Sequence, residues 1–217
     1  SLGRDGDVHK ECLDALKHHP DWWCAQFGAA MYAPDPDRDS AEDSFRQWAD
    51  RTPGFVHYWY LAKYYRSLGR DSDALAALAE AAEYPLEQVD DDATKVPHGF
   101  AFDAATFACK QEEPELVLAI CEAWARPRGV YDYQSPNLPA FRAAAFLALG
   151  RFPEARAEVS KVLAESQERA IWAGNLHTLE SAIDRGDQSF VYDPGLPYEG
   201  FMEWSPFPRP ELSRVAE

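Results

Sequence analysis

The segment that most constrains the fold starts at Tyr58 and reads YWYLAKYYRSLGRDSDALAALAEAAEYP. Its apolar residues recur at helical spacing: Leu61, Ala62, Tyr65 and Leu68 on one face, then Ala74, Leu78 and Ala81 on another. Gly69-Arg70-Asp71 between them marks a tight turn. Asp71 or Ser72 is suited to cap the second helix by accepting from its free N–H groups, and Pro85 stops it. The same grammar returns at Pro139, in PAFRAAAFLALGRFPEARAEVSKVLAES. There Ala143, Phe146 and Leu149 lead to Gly150-Arg151, and Ala155, Val159 and Val162 face inward afterwards. LGRDSDAL and LGRFPEAR are two copies of one unit. Such a unit cannot bury its apolar face alone and must stack on neighbours.

Weaker copies fill the gaps. Ala104, Ala105, Ala108, Val117, Cys121 and Trp124 fit a third unit, with Pro114 opening its second helix. Phe27, Gly28, Met31, Ala41, Phe45, Trp48 and Pro53 fit a fourth with a longer inner loop. Val8, Cys12, Ala15 and Pro20 read as the second helix of another, so the expectation is a chain that opens in mid-repeat, after a hairpin or on a capping helix. Two connections, Leu86–His98 with Asp90-Asp91-Asp92 and Gly129–Leu138 with Tyr131 and Tyr133, exceed what the repeat needs. Insertions of that kind lie on one edge of an array and often carry function. A last helix over about Glu168–Arg185 closes the array.

This pattern of small and aromatic residues resembles the tetratricopeptide-repeat family. The resemblance implies an all-α fold, a right-handed superhelix of antiparallel helix hairpins. This TPR-like α-solenoid would hold about four to five helix-pair units over residues 1–186. Residues 187–217 form an irregular extended segment rich in proline and aromatic rings, expected to pack on the solenoid, over its last helices or in its groove. The alternative is a strap for another domain. The resemblance also places the first helix of each hairpin on a concave surface. Aligning the units puts Trp22, Tyr32, Trp59, Lys63, Arg66, Phe102, Thr106 and Lys110 there. Lys63, Arg66 and Lys110 then form a cationic strip suited to an acidic peptide or a terminal carboxylate. The alternative is that each is solvated or paired with a nearby Glu or Asp. Ala25 and Ala29 stand where co-chaperone members of the family carry a Lys/Asn carboxylate clamp, so that clamp is not expected.

A net charge of −16 argues against nucleic acid and anionic membranes, which both reward a basic face. No stretch approaches the roughly twenty apolar residues of a membrane span, and no signal-peptide pattern is read at the start. Cys12, Cys24, Cys109 and Cys121 form no CxxC pair and no zinc-ligand grouping, so free thiols in a reducing, cytoplasmic setting are expected. Asp35, Asp37 and Asp39 alternate as in a calcium loop, but Ser40 and Arg46 stand where it needs Gly and Glu. His18 and His19 suit a helix C-terminus. Ser40, Ser135 and Ser160 lack a nucleophile elbow, and no glycine loop cradles phosphate. No metal, cofactor or catalytic residue is therefore assigned. The expected function is a non-catalytic scaffold binding a protein or peptide, and its oligomeric state stays open. A second reading is an accessory domain of a larger enzyme. YWYLAKYYRSLGR, with the acidic connection after Pro85, resembles the helical repeats that follow the catalytic domain in some bacterial glycosyltransferases.

If the alanines of the two strongest units sit between tightly packed helices, Ala74→Leu and Ala155→Leu should each cost about 1–3 kcal/mol through overpacking. Thermal melts test this. Unchanged midpoints would mean that neither alanine lies at a helix contact.

Overall fold

A computed structural model describes residues 2–34, 37–51, 53–86, 96–125, 137–165 and 173–194. Among these residues there are ten helices and no strand. In chain order they are α1 (Leu2–His18), α2 (Trp23–Met31), α3 (Arg38–Arg51), α4 (Phe55–Ser67) and α5 (Asp71–Ala82). They continue with α6 (Val96–Lys110), α7 (Pro114–Ala125), α8 (Asn137–Ala148), α9 (Phe152–Glu165) and α10 (Ala173–Arg185). Asp90-Asp91-Asp92, Tyr131, Tyr133 and the tail from Gly195 onward lie outside the described residues, as does the expected start of the last helix at Glu168. No helix among the described residues is long and apolar enough to cross a membrane.

Three turns share one geometry, and it explains why the hairpins form. The N–H groups of Gly69 and Arg70 reach back to the carbonyls of Arg66 and Tyr65. Gly150 and Arg151 do the same to Leu147 and Phe146, and Glu112 and Glu113 to Cys109 and Ala108. This double bond-back satisfies carbonyls left over at a helix end and needs a left-handed residue in the turn. Gly69 and Gly150 both take φ +71°, and Glu112 takes φ 58°. The next helix starts at once, with Ala74, Val117 and Ala155 donating to Arg70, Glu113 and Arg151.

The two LGR copies agree in side-chain detail as well. Arg70 stacks over Tyr65 at 4.7 Å and Arg151 over Phe146 at 4.4 Å. Each guanidinium also donates to an acid three residues on, Asp73 at 2.6 Å and Glu154 at 3.0 Å. This corrects the expected cap. Arg70 occupies the N-cap position of α5 without a side-chain cap bond, and Asp73 is held by Arg70. Asp71 instead lies in the first turn, where its charge suits the helix dipole.

Within each hairpin (α2–α3, α4–α5, α6–α7, α8–α9) the two helices pack together. Each even-numbered helix from α2 to α8 also packs on the next even one, and α5 packs on α7 in the other row. Alanines make the close contacts: Ala74, Ala77 and Ala81 on α5, Ala104, Ala105 and Ala108 on α6, and Ala155 on α9 are all buried. Leu78, Val117, Cys121, Val159 and Val162 are buried beside them, as the helical spacing requires. Leu68 departs from the expected core and is 37% exposed, because the chain turns away at Gly69. Polar clips tie the rows together. Arg46 donates to both carboxylate oxygens of Glu80 (2.6 and 2.7 Å), which joins α3 to α5, and Arg70 donates to Glu42 at 2.6 Å.

One contiguous core runs from Ala30 to Tyr192. A second, small cluster is separate from it: Cys12, Ala25 and Ala29, with Val8, Ala15 and Leu16 around them. It holds α1 on α2, where the imidazole Nδ1 of His9 also lies 2.7 Å from the Ala29 carbonyl.

The turn geometry makes opposite predictions for two kinds of residue. Gly69→Ala should cost about 1–2 kcal/mol, the left-handed penalty of a side chain. Gly150→Ala should cost about the same, because the Gln188 amide that its new methyl would meet is the end of an exposed, flexible side chain that can swing aside. Glu112→Gly should stabilise by about 1 kcal/mol by removing that penalty. Urea denaturation of the three variants measures this. A destabilised Glu112→Gly would show that the glutamate side chain contributes more than its backbone costs.

Candidate peptide-binding face

Trp59, Lys63 and Arg66 fall on one stripe of α4, at spacings of four and three. Facing them on α6 is the stripe of Phe100, Asp103 and Phe107. The contact is mixed aromatic and ionic. Trp59 packs on Phe100 with ring centroids 4.5 Å apart, and on Tyr60 at 4.8 Å. The Trp59 indole N–H donates to one Asp103 oxygen at 3.0 Å, and Arg66 donates to the same oxygen at 2.9 Å. The Arg66 guanidinium lies over the Phe107 ring at 4.3 Å. Lys63 places its ammonium 5.1 Å from the Trp59 ring centre. Burial lowers the Lys63 pKa from the usual lysine value, opposed by the nearby Asp103 carboxylate, with Arg66 adding a small repulsion.

These positions divide the eight groove candidates. Trp59, Lys63 and Arg66 come together, but Arg66 is an internal charge, bridged to Asp103 rather than presented as a free cation. Lys110 stands exposed in the last turn of α6, where a cation suits the helix dipole. Thr106 uses its hydroxyl on the Phe102 carbonyl one turn back (2.8 Å). Phe102 itself is buried and meets Phe141 of α8 edge-on at 5.4 Å, so it is core rather than open wall. Trp22 and Tyr32 sit at opposite ends of α2. Trp22, 50% exposed, lines an open hollow of about 580 Å³ with His18, His19, Pro20 and Asp21. None of those walls belongs to α4 or α6.

Asp103 is the residue of this face that reading the sequence missed. Its signal was present: Asp103, Thr106 and Lys110 are spaced three and four apart, so a stripe holding the last two had to hold the first. As chemistry, the arrangement offers a cation on an aromatic platform and a shared carboxylate already committed to two donors. Among the described residues no three His, Cys, Asp or Glu side chains group as a metal ion would require. Asp35 lies outside those residues, and Asp37 and Asp39 are exposed.

Removing the shared acceptor should be costly. Asp103→Ala leaves the Trp59 N–H and the Arg66 guanidinium without their partner, and a loss of about 1–3 kcal/mol is expected. Asp103→Asn keeps an acceptor oxygen and should lose less. Urea titration compares them, and two equal, negligible losses would show that the bridge contributes nothing. Set against known proteins, the chain matches no family model, no curated protein and no solved structure.

Proposed function

We propose that the chain is a non-catalytic TPR-like scaffold that receives an extended acidic peptide along the face of its even-numbered helices. Several features support a solenoid reading. Turns of one geometry close three successive helix pairs, and α2, α4, α6, α8 and α10 pack in a continuous row. In a superhelix of such pairs, the inner row lines the concave side.

Lys63 carries the reading. Its ammonium is half-buried against Trp59, and no ion pair fixes it among the described residues. The nearest acid, Asp103, is already engaged by Arg66 and Trp59. A desolvated cation on a rigid aromatic platform attracts a carboxylate more strongly than a solvated lysine does. Lys110 supplies a second, more solvated cation on the next helix of the row. The overall charge of −16 repels an acidic ligand at distance, so affinity has to come from these short contacts. All four thiols are free, with burial pushing Cys24 up to about 11 and Cys109 up to about 12. Free thiols suit the reducing, cytoplasmic setting proposed for the chain.

Fluorescence anisotropy with a labelled hexaglutamate peptide tests the proposal. Lys63→Glu should weaken binding at least about tenfold, equivalent to about 1.4 kcal/mol. Lys63→Met keeps the packing on Trp59 and should show the loss due to charge alone. Lys110→Glu should matter less, since exposed ion pairs contribute little. A wild-type chain that does not bind the peptide, or binds it equally well with Lys63→Glu, overturns the reading.

A further inference from the structure

Beyond α10 the described chain runs on to Pro194 without regular structure, and it stays attached to the helices. Gly186, at φ +65°, ends α10 with the same double bond-back seen in the hairpin turns. The Phe190 ring then packs against the main core. Val191 is 42% exposed, but Tyr192 is only 4% exposed. The Tyr192 ring meets Phe141 of α8 edge-on, at 5.6 Å and 87°. Phe141 in turn contacts Phe102 of α6 and Trp124 of α7, so Tyr192 completes a four-ring cluster. Burial raises the Tyr192 phenol, with smaller contributions from Cys109 of α6 and from Asp193. One residue further on, the Asn175 side-chain amide of α10 donates to the backbone carbonyl of Asp193 at 2.8 Å.

A ring sunk in an aromatic pocket and a side-chain amide on a main-chain carbonyl are what an extended peptide needs for recognition. The ring gives anchor specificity, and the amide reads backbone whatever the next side chain is. We propose that the slot formed by Phe141 and Asn175 on α8 and α10 is a peptide-binding site, filled in cis by residues 190–194. In trans it takes an extended segment carrying a tyrosine anchor. Among the described residues the partly buried Phe190, the Tyr192 ring and the Asn175 hydrogen bond hold the cis segment, with the exposed Val191 between the two rings, and displacement exchanges these contacts for the same ones made by the incoming peptide. No backbone ladder fixes it, since the described residues contain no strand. The site is distinct from Lys63 and Trp59, so it stands or falls separately from the acidic-peptide reading.

The test uses a labelled peptide with the sequence of residues 189–194, SFVYDP, blocked at both ends, and the full chain carrying Tyr192→Ala to vacate the slot. Anisotropy should show the peptide binding this variant at least tenfold more tightly than it binds wild type. A peptide with alanine in place of its tyrosine should not bind. Adding Asn175→Ala to the Tyr192→Ala chain should weaken binding several-fold, and adding Lys63→Glu should leave it unchanged. Thermal melts show whether each variant is folded. Tyr192→Leu, a smaller apolar plug, replaces Tyr192→Ala if that variant does not fold. A folded variant that does not bind the peptide makes residues 190–194 a permanent strap and overturns the proposal. Binding that ignores Asn175, or is equal in wild type, places the peptide elsewhere and overturns it too.

Discussion

The closeness of paired helices is the constraint on which this molecule depends. A turn of about three residues leaves two helices side by side, and the space between them admits little more than methyl groups. Ala74, Ala77 and Ala81 on α5 are fully buried against α4, whose own contact face is built from large rings and leucine. Where α9 meets α8, Ala155 is likewise fully buried, and α8 buries Ala140, Ala143, Ala144 and Ala145. Small residues allow the approach and large ones fill the volume. Packing density is thus kept without steric strain. The left-handed turn residue serves the same end, because it reverses the chain in few steps and lets two carbonyls of the helix end accept backbone N–H groups.

With the hairpins fixed in this way, the even-numbered helices are drawn into a single row, and the character of their shared face follows from what they carry. Between α4 and α6 the contact is ionic and aromatic. Asp103 there neutralises Arg66 and anchors Trp59, and the indole then supports Lys63. Between α6 and α8 the rings of Phe102 and Phe141 meet. The row therefore changes chemistry along its length, from a polar end to an apolar end sealed by Tyr192.

Helix pairing was legible because it is written in local periodicity. The spacing of Leu61, Ala62 and Tyr65, the glycines at 69 and 150, and Pro114 at the start of α7 all act within a few residues of themselves. The fate of charges was much less legible. Arg66 and Asp103 are 37 positions apart, and only the stacking of two hairpins brings them together. Whether the cationic strip was free, solvated or paired with a nearby acid stayed open in the sequence, although Asp103 lay on a stripe already singled out. Phe102 was assigned to the groove for a related reason. A helix face can be read from sequence, but whether a neighbour covers it depends on the next unit. Glu112 is a different case. Nothing in a polar Gln-Glu-Glu run signals a left-handed backbone, yet the third hairpin imposes one.

The separate cluster beneath α1 has a consequence for how the molecule opens. The other described residues share one continuous core, whereas among the described side chains α1 is held on α2 by Cys12, two alanines, a few half-buried neighbours and the contact of His9 with the Ala29 carbonyl. Regions with little buried apolar surface open at a small fraction of the global unfolding free energy. Amide protons of α1 should therefore exchange with solvent through a local detachment, while those of α4, α5 and α8 wait for cooperative unfolding. Toward the other end of the described chain, α8, with Phe141 and Leu147 fully buried, belongs to the common core and opens only as part of the whole. Among the described helices, α1 is therefore the one that opens on its own, and the breathing of the chain is directional.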